Sequence, residues 1–190
     1  MNAPFLKYTG IAAPLMVDNI DTDQIIPSRE MKSVSKTGLS GGLFAGQRYV
    51  SGRTVNPDFV LNKAEFKDAT ILLSGKNFGC GSSREHAVWA LKEYGFRAII
   101  AESFGEIFYN NCVRNGILPI QLSNDQITKL GRDVTIDLSS QTVGNFHFDI
   151  PEGDKAMLIG GLDPIAMTLS HKADIDQHFA RDSQQRPWLY

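Results

Sequence analysis

Only two cysteines, Cys80 and Cys112, occur in the 190 residues, too few for a disulfide framework. No apolar run approaches the ~20 residues that a membrane-spanning helix needs. Charge of one sign is lacking too: 19 Lys and Arg against 21 Asp and Glu leave a net charge of −2. Neither nucleic acid nor an anionic membrane would find an electrostatic grip on such a chain. Residues 1–7 have no charged head followed by an apolar core, so no signal peptide is expected and the expected compartment is the cytoplasm. Internal repeats, linkers and low-complexity tracts are absent. A chain of this length buries a core without staples, and one domain over residues 1–190 is expected.

What is present centres on Gly79-Cys80-Gly81-Ser82-Ser83-Arg84-Glu85-His86. The apolar run at 69–74 before it reads as a buried strand, and residues 83–94 after it read as a helix stopped by Gly95. Residues 97–101 repeat the strand pattern. Residues 104–114 form a second amphipathic helix, stopped at Asn115-Gly116, and 117–122 give a third strand whose Pro119 suggests a sheet edge or an irregularity. Alternating strand and helix predict an α/β fold: a mostly parallel central sheet flanked by helices. Ligands of such sheets sit beyond the carboxyl ends of the strands, where residues 79–84 fall.

Elsewhere, residues 11–17 and 24–27 look like short strands around a polar turn at 18–23, with Pro27 ending the second. Residues 32–65 carry five glycines and little periodicity, the mark of either a functional, mobile loop or a plain surface excursion. Residues 124–131 suggest a short helix, 133–138 and 142–150 two strands, and 163–179 a final helix with Asp163 as N-cap and Pro164 at its first position. A polar tail, 181–190, ends in an apolar cluster whose Trp188 and Tyr190 could dock on a partner.

The turn at 79–86 has the composition of a carboxylate site. Glycines let the backbone approach a ligand, Gly81 among them, and present free N–H groups. Two hydroxyls and a guanidinium share the turn, and Arg holds a carboxylate with two parallel bonds. A cation in the first turn of a helix is unfavourable by ~0.3–1 kcal/mol, so an anion is expected beside Arg84. The alternative is a well-capped helix, since Ser82 and Glu85 have capping-box spacing. Nucleotide motifs fit poorly, because a third glycine and a phosphate-loop Ser/Thr are both missing. A Gly-x-Ser-x-Gly elbow is missing too. Asp21-x-Asp23 lacks the glycine and terminal Glu of a calcium loop.

Gly79-Cys80-Gly81-Ser82-Ser83-Arg84-Glu85-His86-Ala87, preceded by Asn77-Phe78, resembles the swivelling β/β/α domain of the aconitase superfamily. Asn19-Ile20-Asp21-Thr22-Asp23-Gln24-Ile25-Ile26-Pro27 resembles that domain's first signature. Phe104-Gly105-Glu106-Ile107-Phe108-Tyr109-Asn110-Asn111 with Gly116-Ile117-Leu118-Pro119 resembles its third. Asn56-Pro57-Asp58-Phe59-Val60-Leu61-Asn62 and Gly161-Leu162-Asp163-Pro164-Ile165 are similar to the bacterial small subunits of 3-isopropylmalate dehydratase.

The resemblance implies a subunit of a hydro-lyase of leucine biosynthesis, which isomerises 2-isopropylmalate to 3-isopropylmalate through a dehydrated alkene. It implies a large-subunit partner carrying a [4Fe–4S] cluster, with no cofactor on this chain, whose two cysteines cannot supply the usual thiolates. It makes Ser82 the general base, Asp23 the acidic residue facing a histidine of the large subunit, Ser83 a hydrogen-bond partner of substrate and Arg84 its carboxylate clamp. Arg29 is the candidate for a second carboxylate-binding arginine, and residues 30–46 resemble the loop that reads the substrate's side group. Two kinds of alternative remain open. One is a related hydro-lyase acting on citramalate/citraconate, homoaconitate or maleate. The other is a non-catalytic carboxylate-binding module or a purely structural subunit.

Overall fold

β1 (Lys7–Leu15), β2 (Ala69–Ser74), β3 (Ala98–Ala101) and β4 (Leu118–Gln121) run parallel to one another and form half of a seven-stranded sheet. The other half is antiparallel: β5 (Asp133–Asp137), β6 (Thr142–Val143) and β7 (Phe146–His147). The order is β4-β3-β2-β1-β5-β6-β7, so β1 joins the halves, paired with β2 on one side and β5 on the other. The helices are α1 (Thr22–Ile25), α2 (Ala45–Arg48), α3 (Glu85–Tyr94), α4 (Glu106–Asn115), α5 (Asn124–Ile127), α6 (Glu152–Gly160), α7 (Pro164–Ser170) and α8 (Lys172–Gln185). This computed structural model describes residues 2–31 and 35–189.

Side chains alternate across a strand, and the parallel strands use both faces. Ala13, Leu72 and Ile99 point to one core, shared with Ala87, Val88 and Leu91 of α3 and Phe108 and Cys112 of α4. Ala12, Ile71, Leu73 and Ile100 point to the other, with Phe5, Val134, Ile136 and Leu158. The strand–helix alternation expected for residues 69–121 is therefore present, with the sheet covered on both sides. Pro119 lies in β4, an edge strand, where a missing N–H costs no ladder bond.

Several elements differ from their expectation. Residues 24–27 do not form a strand, because Asp21 caps α1 with its Oδ1 accepting from the Gln24 N–H at 2.7 Å. Ile25 and Ile26 are both fully buried, which alternation in a half-exposed strand forbids. Ile26 is extended, as the residue before a proline prefers. The first strand starts at Lys7 rather than 11. The strand expected over 142–150 divides into β6 and β7 around Gly144-Asn145, with Gly144 at φ +55°. α6 was not expected at all, and the final helix is broken at His171 into α7 and α8, the latter running into the expected tail. Tyr190 and residues 32–34 lie outside the described residues.

The remainder of the irregular segment is more than a surface excursion. Leu39, Leu43, Phe44, Phe59 and Leu61 are buried in the α3-side core, and the Phe44 N–H bonds the Ile25 carbonyl at 2.7 Å. Short 3₁₀ turns and α2 replace longer elements because glycines recur and no apolar period is sustained.

Candidate active site

Beyond the carboxyl ends of β1, β2 and β3 the chain keeps its parallel order without regular strands. Asp21 bridges to Cys80 and Phe78 to Phe104. The Gly79 N–H donates to Ile20 O at 2.7 Å, the Thr22 N–H to Cys80 O at 3.0 Å, and the Thr22 hydroxyl to Ser82 O at 3.0 Å. On the other flank, Phe78 N–H donates to Ser103 O and Gly105 N–H to Phe78 O. The turn at 75–84 is thus held between two neighbouring segments. Phe78 is its anchor, fully buried with its ring 5.3 Å from Phe108 and 6.4 Å from Phe104. Burial of such a ring contributes about 1.5–3 kcal/mol.

Two glycines make the turn possible for different reasons. Gly79 has φ +74°, and a Cβ there would lie 2.1 Å from the Phe108 ring. Gly81 has φ +90°, but its Cβ would meet Asp21 Cβ at 3.5 Å and Thr22 Oγ1 at 3.9 Å, both ordinary contacts. Gly79→Ala is therefore expected to lower stability by about 3 kcal/mol through strain and overpacking together. Gly81→Ala bears the backbone strain alone and is expected to cost about 1 kcal/mol. Urea midpoints of the two variants check the difference.

α3 begins at Glu85, with Arg84 as its N-cap residue and no side-chain cap. The capping box open to Ser82 and Glu85 is not formed: the Glu85 carboxylate instead accepts from Asn115 Nδ2 at 2.7 Å. Ser82 and Ser83 are exposed, and their hydroxyls have no hydrogen-bond partner among the described residues. The anion expected beside Arg84 is supplied by the chain itself. Arg84 Nη1 donates to Asp23 Oδ1 in an ion pair, and the Ser28 hydroxyl donates to the same oxygen at 3.0 Å. The Arg84 hydrogen bond, then that of Ser28, holds the Asp23 carboxyl below its ordinary value.

Asp23 also lines a groove of about 540 Å³ with Pro27, Ser28, Arg29, Gly46 and Gln47. The groove brings Arg29 and Asp23 together; Ser82 and Ser83 do not line it. Arg29 is not bare, since its Nε lies 3.6 Å from Glu30 Oε1. Gln47 went unremarked in the sequence. Its Oε1 is buried without a hydrogen-bond partner among the described residues, and a glutamine in a glycine-rich stretch gives no signal of that.

The thiols offer no cluster site. Cys112 is fully buried in α4 with its pKa driven well above the ordinary value by burial, and Cys80 is half-buried in the turn. Among the described residues, no group of three or more His, Cys, Asp or Glu could hold a metal ion. No helix is long and apolar enough to cross a membrane among the described residues. The His86 ring packs 4.7 Å from that of Trp89, in keeping with a structural part.

Residues 2–125 match the family model of the aconitase C-terminal domain. The chain is 51% identical to the 3-isopropylmalate dehydratase small subunit of Cupriavidus necator, over 98% of this chain and 98% of that protein. It is 48% identical to the small subunit of Rhodopseudomonas palustris, over 97% and 98%. A crystal structure of 3-isopropylmalate dehydratase from Methanocaldococcus jannaschii superposes with a TM-score of 0.70 at 29% identity, covering 91% of this chain and 99% of that one. Near-complete coverage in both directions, at about half identity, extends the likeness past the shared domain to the whole subunit. The chain belongs to the 3-isopropylmalate dehydratase small-subunit family, built on the aconitase C-terminal domain.

Proposed function

We propose that this chain, as one domain over residues 1–190, is the small subunit of a cytoplasmic 3-isopropylmalate dehydratase. With a large subunit it converts 2-isopropylmalate to 3-isopropylmalate by dehydration and rehydration, in leucine biosynthesis. The observation that carries the reading is the turn at 79–84, with two unpartnered hydroxyls beside an arginine whose only ion-pair partner among the described residues is an exposed carboxylate. That is a site built for a carboxylate with a proton to lose.

Ser82 is the general base and removes the carbon-bound proton; Ser83 and the Gly81 backbone hydrogen-bond the substrate; Arg84 clamps one carboxylate and Arg29 the second. Asp23 faces the large subunit's acid–base machinery. A [4Fe–4S] cluster on the large subunit would supply Lewis-acid chemistry at the leaving hydroxyl. A proton alpha to a carboxylate is barely acidic, so cationic groups have to stabilise the charge that develops. On this chain Arg84 and the N-terminus of α3 do so.

The pairing of Arg84 with Asp23 gives the site a resting state. Arg84 is 27% exposed and Asp23 54%, so the pair is worth roughly 0–1 kcal/mol and a substrate carboxylate displaces it at small cost. Displacement releases Asp23 towards the partner as Arg84 takes the substrate. The reading is tested by mixing the chain with a cluster-loaded large subunit and following alkene absorbance from 2-isopropylmalate. Turnover supports it. No turnover, with a partner that is active alongside another small subunit, overturns it.

A further inference from the structure

Glu93, on the last turn of α3, is used by nothing described so far. Its Oε1 accepts from the Gly38 N–H at 2.6 Å, and its Oε2 accepts from Leu39 N–H at 2.5 Å and Ser40 N–H at 2.8 Å. Gly38 has φ +86° and Leu39 lies in the right-handed helical region. This left–right sequence turns successive N–H groups towards one point, the backbone nest that binds anions. The anion is a side chain 53 to 55 residues away. Burial raises the Glu93 pKa, but the three N–H groups outweigh it and leave the carboxyl below its ordinary value.

The clamp is connected to the groove. Leu39 is buried against the α3-side core. Arg48 of α2 donates from Nη1 to Ser40 O at 3.1 Å and to Leu43 O at 3.3 Å, with its guanidinium 4.9 Å from the Tyr94 ring of α3. The two residues before Arg48, Gly46 and Gln47, line the groove together with Asp23's own segment. At its other end α3 carries Arg84. A helical rise of about 1.5 Å per residue separates clamp and turn by roughly 13 Å of rigid rod. One helix therefore holds both the carboxylate-binding arginine and the wall of the neighbouring groove.

We propose that Glu93 is a positioning residue: by clamping the Gly38–Ser40 nest it sets the distance between the groove wall at 46–47 and the Asp23–Arg84 pair, and so sets which substrate side group the groove accepts. The proposal deepens the function proposed above and rests on it for its kinetic half. Glu93→Gln replaces one acceptor oxygen by an NH2 that opposes an N–H and removes the charge from the others. With the large subunit present, KM for 2-isopropylmalate is expected to rise about ten-fold, while kcat changes much less. The preference for the isopropyl over a methyl or unsubstituted malate is expected to narrow.

Hydrogen exchange of the free chain supplies a readout independent of turnover, with the amides of Gly38, Leu39 and Ser40 expected to lose protection selectively. Glu93→Asp, which keeps the charge on a shorter arm, should fall between the two in both measurements. Retained protection in Glu93→Gln overturns the clamp. Lost protection with unchanged KM and unchanged selectivity overturns the positioning role. A wild-type chain that gives no turnover overturns the functional reading instead, and the exchange result still decides the clamp.

Discussion

Ser82→Ala is expected to lower kcat by about 10²–10⁴-fold, the range that a positioned general base contributes, with no change in folding or in assembly with the large subunit. The two halves of this expectation have separate grounds. Stability is spared because the Ser82 side chain is exposed and makes no hydrogen bond within the described residues; such surface truncations usually stay within about 0.5 kcal/mol. Activity is expected to fall because the turn's other hydroxyl, Ser83, is assigned to holding the substrate, and the remaining polar side chains are committed elsewhere. Glu85 is engaged by Asn115, His86 packs on Trp89, and Arg84 is a cation.

A serine hydroxyl is a weak base, and it can serve only where positive charge stabilises its alkoxide. Arg84 follows two residues later as N-cap of a ten-residue helix that no side chain caps, so a guanidinium and a helix N-terminus, both of positive sign, follow directly on the turn that carries Ser82. Substrate labelled at the departing hydrogen checks the assignment. Wash-out of label by the wild type and none by the variant is the expected result. Wash-out by Ser82→Ala at the wild-type rate would remove Ser82 from the role. Ser83→Ala provides the contrast, since a hydrogen-bond donor to bound substrate affects KM more than the proton-transfer step.

How much of this could be read without coordinates follows from the range over which each feature is determined. β2, β3, α3 and α4 are legible because their signals are local: apolar runs buried on both faces, and stops at Gly95 and Gly116, which do adopt φ of +121° and +76°. α1 defeated the pattern because Ile25-Ile26-Pro27 looks like a strand end, whereas Asp21 and its capping bond start a helix there. α6 carried a signal that could have found it, Pro151 followed by Glu152 and Asp154 in the first turn; glycines at both of its ends obscured it.

The site divides in the same way. The turn at 79–84 and Asp23 stand in recognisable motifs. That Asp23 and Arg84, 61 residues apart, hold each other is a consequence of parallel order between the segments after β1 and β2. Glu93 is equally silent in the sequence: an acidic residue at the end of an amphipathic helix looks solvated, and only the fold brings three amides to it. Local composition marks where chemistry can occur. Long-range pairing determines which charges are free to take part.

Arg84 is where that distinction has its largest kinetic effect. Arg84→Lys preserves the charge beside Asp23 but replaces a planar fork by a point donor, so two parallel bonds to a carboxylate become one. A charge-assisted hydrogen bond is worth about 1.5–3 kcal/mol, and KM for 2-isopropylmalate is expected to rise roughly 10- to 100-fold. The same pairing predicts an opposite effect at its other end. If Arg84 clamps substrate as proposed, Asp23 competes for it, so Asp23→Asn is expected to lower KM modestly, by no more than the ~0–1 kcal/mol of an exposed pair. Because the proposed function also has Asp23 face the partner's acid–base machinery, kcat is expected to fall in the same variant. Steady-state kinetics of both variants, each assembled with the same large subunit, give the test. A KM that rises in Asp23→Asn would mean that Asp23 orients Arg84 for substrate and does not compete for it. An unchanged KM in Arg84→Lys would remove the clamp from the mechanism and leave Arg84 as the counter-ion of Asp23.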